Sequence, residues 1–421
     1  MRQLSAEWVL PLDGPPIRDG HVRYDGGRIV EVGPGRTDEH LDAAVILPGF
    51  VDAHTHLEYA NYAGFGDGTP FGPWIRTHVE RKNRLTPEDM LAIARLGVVD
   101  ALRSGITTVA DYSFSGAAAT AVEDLGLRAV VYLEVFALTA AEAERQWREK
   151  RVRVSESHRV TIGISPHAPY TCSLETYRFC LSLGVPVGTH LAESRNEVEW
   201  LVEGRGALQG IAPLLVAPTG KRPVETLEPV LGPELLCAHC VEVDGREVAL
   251  LAERGVPVAH CPRSNALLGC GIAPLALMRD AGVVLALGTD SPASTPSFDM
   301  FEEMRTAAAL ARAREARADV LPAADVLALA TVDGARALRL ETEVGTLTPG
   351  KRADLTVLSL AGSPYHPVED PAAAVVFGGS PDRVLETIVD GQTRYRKQEE
   401  DRWREVRSIA SAARGRMLGR P

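Results

Sequence analysis

Two histidines one residue apart, His54 and His56 in VDAHTHLE, give the chain its first sign of chemistry. On a strand, residues i and i+2 share a face, so both imidazoles point the same way. Further along, His190 stands in GTHLAES and Asp290 in LGTDS, each just past an apolar, β-branched run. Three imidazoles and a carboxylate suit one divalent metal, Zn²⁺ first and Fe²⁺ nearly as well, with a coordination position left open to water. His167, His239 and His260 follow comparable runs, so six of the eleven histidines stand at or just beyond expected strand ends. A lone HxH is ordinary polar packing and a lone Asp is an ordinary helix cap. Four ligand residues at the ends of matching strands are hard to obtain by packing.

Those strands come from eight apolar runs, at 45–56, 106–112, 128–137, 159–170, 185–194, 234–243, 256–265 and 283–294. Helix-like segments separate them. Alternation of this kind predicts an α/β fold with a parallel sheet, and eight units predict a (β/α)₈ TIM barrel. In such a barrel the C-terminal strand ends converge on one mouth, which would gather the scattered ligands. The spacer TPEDMLAIARLGVVDALRSG shows the helical logic: Thr86 as N-cap, Pro87 at the first helical position, Gly105 after the end.

The two chain ends read differently. Residues 1–47 and 345–396 are short strands broken by Gly, Pro and Asp-Gly turns. Each is too small to stand alone, so they are expected to pair into one small β-sandwich. The barrel then occupies 48–344, and the charged segment 397–421 forms a terminal helix or tail.

Composition narrows the partners. The 421 residues are 45% hydrophobic and 24% charged, with a net charge of −11. A large core is available, and a nucleic-acid partner is excluded because phosphate contacts need a basic face. No apolar run reaches the roughly 18 residues of a membrane helix. The opening MRQLSAEWVLPLDG lacks the pattern of a secretory signal, so a cytoplasmic protein is expected. Cys172, Cys180, Cys237, Cys240, Cys261 and Cys270 lie in one stretch and read as reduced, buried thiols. Cys237-Ala-His-Cys240 lacks the second half of a structural zinc site, and Gly269 and Gly271 sit in no phosphate-loop pattern.

PGFVDAHTHLE, SGITTVAD, HLAES, HCPRSN, GIAP, LGTDS and GKRADL, in this order, resemble the amidohydrolase superfamily in its cytosine, guanine and adenosine deaminase branch. The resemblance covers nearly the whole chain. It implies a metal-dependent hydrolytic deaminase, with His54 and His56 as ligands on the first strand, His190 on the fifth and Asp290 on the eighth. It further implies that Glu193, three residues after His190, shuttles a proton to a ring nitrogen. His239 would hold the attacking water or leaving group, and Asp290 would share in the proton transfer. The fourth run has no lysine to bridge a second metal, which favours a mononuclear site. A homodimer is a family expectation.

The substrate is read from finer features. HAPYTCS resembles the corresponding segment of S-adenosylhomocysteine-type nucleoside deaminases, which implies that His167 would contact the base. HTHLE, the PF..WI segment and HCPRSN are similar to aminodeoxyfutalosine deaminases of menaquinone biosynthesis. On that likeness Arg263 would pair with a substrate carboxylate through its planar fork. Trp74 would line the pocket edge. Glu58 and Glu80 are the candidates for ribose, because Lys82 stands near the position where the S-adenosylhomocysteine pattern has a glutamate. Guanine, 8-oxoguanine and triazine hydrolases are the alternatives within the branch. A non-catalytic scaffold is the alternative outside it, and retention of the whole ligand set argues against that. Residues 57–85 and 291–300 follow catalytic strand ends and are the segments expected to close the site.

Overall fold

The computed structural model describes residues 1–420; Pro421, the end of the expected terminal segment, lies outside the described residues. The chain opens with four strands, β1 (Arg2–Val9), β2 (Ile17–Asp25), β3 (Arg28–Pro34) and β4 (His40–Pro48). Eight further strands follow: β5 (Phe50–Thr55), β6 (Ile106–Ser113), β7 (Arg128–Val135), β8 (Val160–Pro166), β9 (Val187–Leu191), β10 (Leu235–His239), β11 (Val258–His260) and β12 (Leu285–Leu287). They pair in parallel in that sequence. The ring closes where Thr55 bridges Asp290. Asp290 N donates to the His54 carbonyl at 2.8 Å and His56 N to the Asp290 carbonyl at 3.3 Å. The barrel seam is therefore stitched at the ligand positions themselves.

The first apolar run is two strands. VILP ends β4 and FVDAHT forms β5, with the break at Gly49. A Cβ on Gly49 would lie 2.1 Å from the Thr107 side chain, so only glycine lets the chain pass from one sheet to the other there.

Near the end, β13 (Leu355–Ser359), β14 (Val384–Val389) and β15 (Gln392–Arg396) join the first four strands. They make one mixed seven-stranded sheet, in the order β15-β14-β13-β4-β1-β2-β3. Leu4, Val22, Ile46, Leu355 and Ile388 are part of its separate core. A buried charge cluster ties this sheet to the barrel: Arg128 of β7 meets Asp354 and Asp390, each at 2.8 Å.

Helix α1 (Phe71–Lys82) and a 3-10 segment, Leu57–Tyr62, lie over the first strand end. Helix α2 (Pro87–Arg103) starts as the sequence predicts. Thr86 and Asp89 form a reciprocal capping box, with Pro87 in the first turn. The C-terminal helix Arg404–Met417 packs on α2 and on the 3-10 segment. Its Arg414 donates to the carbonyl of Ala63 at 2.8 Å. All six cysteines are buried and unpaired. Among the described residues no helix is long and apolar enough to cross a membrane.

Candidate active site

His54 and His56 leave β5 with their rings on one face, and His190 arrives from the end of β9. The ligand-capable nitrogens of these three lie within 4.8 Å of one another. His56 Nε2 is 3.3 Å from His190 Nε2 and 3.6 Å from Asp290 Oδ1; His54 Nε2 is 3.8 Å from the same oxygen. The far sides are tied down. His56 Nδ1 meets the Tyr112 carbonyl and His190 Nδ1 the His167 carbonyl, both at 2.8 Å. Each bond fixes the tautomer that leaves Nε2 bare for an ion. Asp290 Oδ2 accepts from Ser264 at 2.5 Å and Ser294 at 2.9 Å, which turns Oδ1 toward the histidines.

The donor set passes a direct test for a metal. Both His54 ring nitrogens are buried without a hydrogen-bond partner. A buried donor or acceptor left unmade costs about 1–3 kcal/mol, a cost that coordination removes at one nitrogen. Burial, then the neighbouring imidazoles, hold His54 and His190 well below the usual histidine range, in the neutral form a metal needs. The site fits one divalent metal. A second group, Glu134, His167 and His190, is equally compact. It is not an independent site, because one His190 nitrogen faces the first group and the other is held by the His167 carbonyl.

Glu193 and His239 stand beside the metal group. Their nearest polar atoms are 3.9 Å apart. His239 Nδ1 meets Asn265 Oδ1 at 2.9 Å, leaving Nε2 toward the cavity. Burial raises the Glu193 carboxyl, while the His239 charge works against that rise. Glu193 N donates to Glu197 Oε2 at 2.9 Å, which fixes the loop that carries the carboxylate. Strain collects here too. Ala192, His239, Cys240 and Asp290 have φ of 50°, 74°, 47° and 57°, values that side-chain-bearing residues rarely adopt.

Above this floor is a cavity of about 560 Å³, a size suited to a small organic ligand. His56, His190, Glu193, His239 and Asp290 line it, and Trp74, Phe114, Phe136, Tyr170 and Ile211 help form its walls. Val79, Leu138 and Leu214 also line it and are exposed, so they mark an apolar mouth.

The structure brings some of the expected substrate contacts to this cavity and takes others away. His167 lines it, stacked on Phe136 at 4.5 Å with Nδ1 on Thr171 at 2.8 Å, and burial pushes it down to about 3. Trp74 lines it, with its indole N–H on the Ala293 carbonyl at 3.2 Å. Glu58, expected near ribose, is wholly buried elsewhere. It accepts from Ser115 N and Ser115 Oγ at 2.9 Å each and so closes the start of helix α3 (Ala117–Leu125). The chain turns into the 3-10 segment after His56, and that turn carries Glu58 off the strand face. Glu80 is exposed on α1 and does not line the cavity. Arg263 is also absent from the lining. Its guanidinium pairs with Glu303, with Glu302 at 3.2 Å and with the Ser297 carbonyl at 2.6 Å. The fork expected for a substrate carboxylate is a buried tie between two helices.

The sequence alone did not single out Ser264, Asn265 or Glu134, and it marked Lys82 only as a departure from a family glutamate. The first two lie inside the quoted HCPRSN, so the motif pointed at them without saying what they hold.

Comparison with known proteins agrees with this geometry. Residues 45–394 match the amidohydrolase family. A 5'-deoxyadenosine deaminase of Methanothermobacter thermautotrophicus is 34% identical, over 97% of this chain and 97% of its own. A 5-methylthioadenosine/S-adenosylhomocysteine deaminase of Moorella thermoacetica is 36% identical over 91% of each. An adenosine deaminase from Xanthomonas campestris, solved with bound zinc, superposes with a TM-score of 0.85 at 26% identity, covering 99% of this chain and 98% of that one.

Proposed function

The chain belongs to the amidohydrolase family and is a hydrolase of its deaminase branch; from that premise we propose that it deaminates an adenine nucleoside with an uncharged 5′ group. The observation that carries the reading is the pairing of one metal-fit group with Glu193 and His239 under an apolar-walled cavity. A 5'-deoxyadenosine deaminase and 5-methylthioadenosine/S-adenosylhomocysteine deaminases among its relatives support an adenine nucleoside as the substrate.

In this reading His54, His56, His190 and Asp290 hold the ion, Zn²⁺ by preference. Such an ion supplies Lewis acidity, which makes water a nucleophile near neutral pH. The chain's own residues do the rest. Glu193 faces ring N1 and carries one proton from the attacking water to it, which makes C6 electrophilic. The water oxygen bonds to C6. His239, held through Nδ1 by Asn265, presents its Nε2 lone pair to the second water proton and delivers that proton to the leaving amine. The second water proton passes to the amino group, the C6–N6 bond breaks, and ammonia leaves with the hypoxanthine nucleoside as co-product. The walls exclude competing water.

A carboxylated nucleoside such as aminodeoxyfutalosine, and with it a place in menaquinone biosynthesis, is the second reading. Arg263 no longer speaks for it. Lys82 does, as the one lysine or arginine among the described residues lining the cavity. The test is ammonia release by Zn²⁺-loaded protein from 5′-deoxyadenosine, methylthioadenosine, S-adenosylhomocysteine, aminodeoxyfutalosine and guanine. Turnover of the uncharged adenine nucleosides first is expected. A clear lead for aminodeoxyfutalosine would install the second reading. No ammonia from any adenine nucleoside would refute both.

A further inference from the structure

We propose that Glu134 determines specificity in this site by accepting hydrogen bonds from the ribose hydroxyls of the substrate, with His167 beside it. The proposal rests on the adenine-nucleoside reading above. Glu134 stands at the C-terminal end of β7, lines the cavity and is 2% exposed. Its carboxylate accepts no hydrogen bond from any described residue, although its backbone carbonyl takes the Lys150 ammonium at 2.6 Å. Three other buried carboxylates take donors from the protein, Glu58 from Ser115, Glu303 from Arg263 and Asp52 from Thr289, and Asp111, Glu197 and Glu247 each leave only one oxygen bare. A buried acceptor without a donor is rare in a folded chain and demands a partner. Here the partner must come from the cavity.

Position says which part of a nucleoside that is. Consecutive strand ends β7, β8, β9 and β10 present Glu134, His167, Glu193 and His239 in that order. Neighbouring strands lie about 4.8 Å apart, so the strand end carrying Glu134 is two steps, about 10 Å, along the rim from the one carrying Glu193, and the Glu134 carboxylate reaches within 4.8 Å of ring nitrogens of His167 and His190. With Glu193 on N1 and C6 at the metal group, the sugar side of the purine runs toward β8 and β7. A carboxylate has two acceptor oxygens and a vicinal diol two donors. That match is the one acidic residues use on ribose in dinucleotide sites. His167 adds Nε2, since Thr171 takes its Nδ1. Lys82, with its ammonium 3.4 Å from the Phe114 ring centre, and Lys150 flank Glu134 and balance a charge placed there. Sequence reasoning sought this role in Glu58 and Glu80, and the fold withholds both.

The test compares kcat/KM for adenosine, 2′-deoxyadenosine and 3′-deoxyadenosine in the wild-type enzyme, Glu134→Gln and Glu134→Ala. Alongside it, calorimetric binding of inosine and 2′-deoxyinosine gives a readout independent of turnover. Wild type should favour the diol about 100-fold, the discrimination expected of a site built around hydroxyls. Glu134→Ala should lose most of that preference in both assays, its kcat/KM falling much further on adenosine than on either deoxy substrate. Glu134→Gln, almost isosteric, keeps one acceptor and should fall between, with an unchanged melting temperature. Turnover by wild type without diol preference overturns the role of Glu134 alone. So does a preference that survives in both variants, which would leave Glu134 as a counter-charge to the lysines. Failure of wild type to deaminate any adenine nucleoside overturns the functional reading and this proposal with it.

Discussion

Asn265→Ala isolates what the imidazole of His239 needs. The His239 Nδ1–Asn265 Oδ1 contact of 2.9 Å assigns the proton to Nδ1 and leaves the Nε2 lone pair facing Glu193 and the cavity. His239 is 1% exposed, so water cannot replace the lost acceptor. A donor buried without a partner costs about 1–3 kcal/mol. At about 1.36 kcal/mol per factor of ten, kcat should fall about 5- to 150-fold. The loss should appear in kcat and much less in KM, because Nε2 does its work on groups that become charged during the reaction. Metal content, measured by elemental analysis, should not change, since His239 is outside the proposed ligand set. Asn265→Asp restores an acceptor at the same place and should recover most of the rate. Steady-state kinetics of both variants decide the matter. An alanine variant with wild-type kcat, or two variants equally impaired, would refute the reasoning.

Two other perturbations test neighbouring parts of the site. Removing both hydroxyls on Asp290, as Ser264→Ala with Ser294→Ala, frees Oδ2 and the carboxylate's orientation. Metal affinity should fall about 10- to 100-fold, read by competition with a chromogenic chelator, and an unaltered affinity would show the hydroxyls to be incidental. Glu197 has a carboxyl pushed up to about 8 from an ordinary 4.5, chiefly by burial. A pKa raised in the fold favours the fold at low pH, and that contribution is lost as pH climbs from about 4.5 through about 8. Glu197→Gln lacks this titration, so denaturant midpoints of metal-free protein should improve relative to wild type as pH rises over that window. A difference that stays constant across it would contradict the burial argument.

How far the sequence spoke depended on whether side-chain direction follows from local rules. His54 and His56 share a face because a strand alternates, and that needs no tertiary knowledge. His190, His239 and Asp290 were legible because barrel strand ends converge. Glu58 continues the same alternation on paper, but the chain leaves the strand at His56 and enters the 3-10 segment. Arg263 is decided by Glu303, which lies forty residues away and is invisible to a local reading. Glu134 failed for the opposite reason: in RAVVYLEV it looks like one polar residue in an apolar strand, with nothing to say that it ends the strand at the cavity. Gly49, between an apolar run and a catalytic one, was the overlooked mark that two sheets meet.

The same bonds that close the barrel also set the spacing of the metal group. Asp290 N on the His54 carbonyl, His56 N on the Asp290 carbonyl and Thr289 N on Asp52 Oδ1 join the first strand to the segment after the last. Those contacts hold Asp290 at φ 57°, in the left-handed region that most side-chain-bearing residues avoid and aspartate tolerates better than most. If the seam opened, His54 and His56 would part from Asp290 while His190 stayed on β9. An ion held by all four therefore resists opening of the seam, and a well-made seam presents ligands already in place. The strain at Asp290 and His239 is retained for this reason: at both positions the backbone is bent so that a side chain from a strand end faces the shared floor. Fold stability and site geometry are consequently coupled most tightly at the join between the first and eighth barrel strands, where a substitution in either partner, Asp52 or Thr289, acts on both.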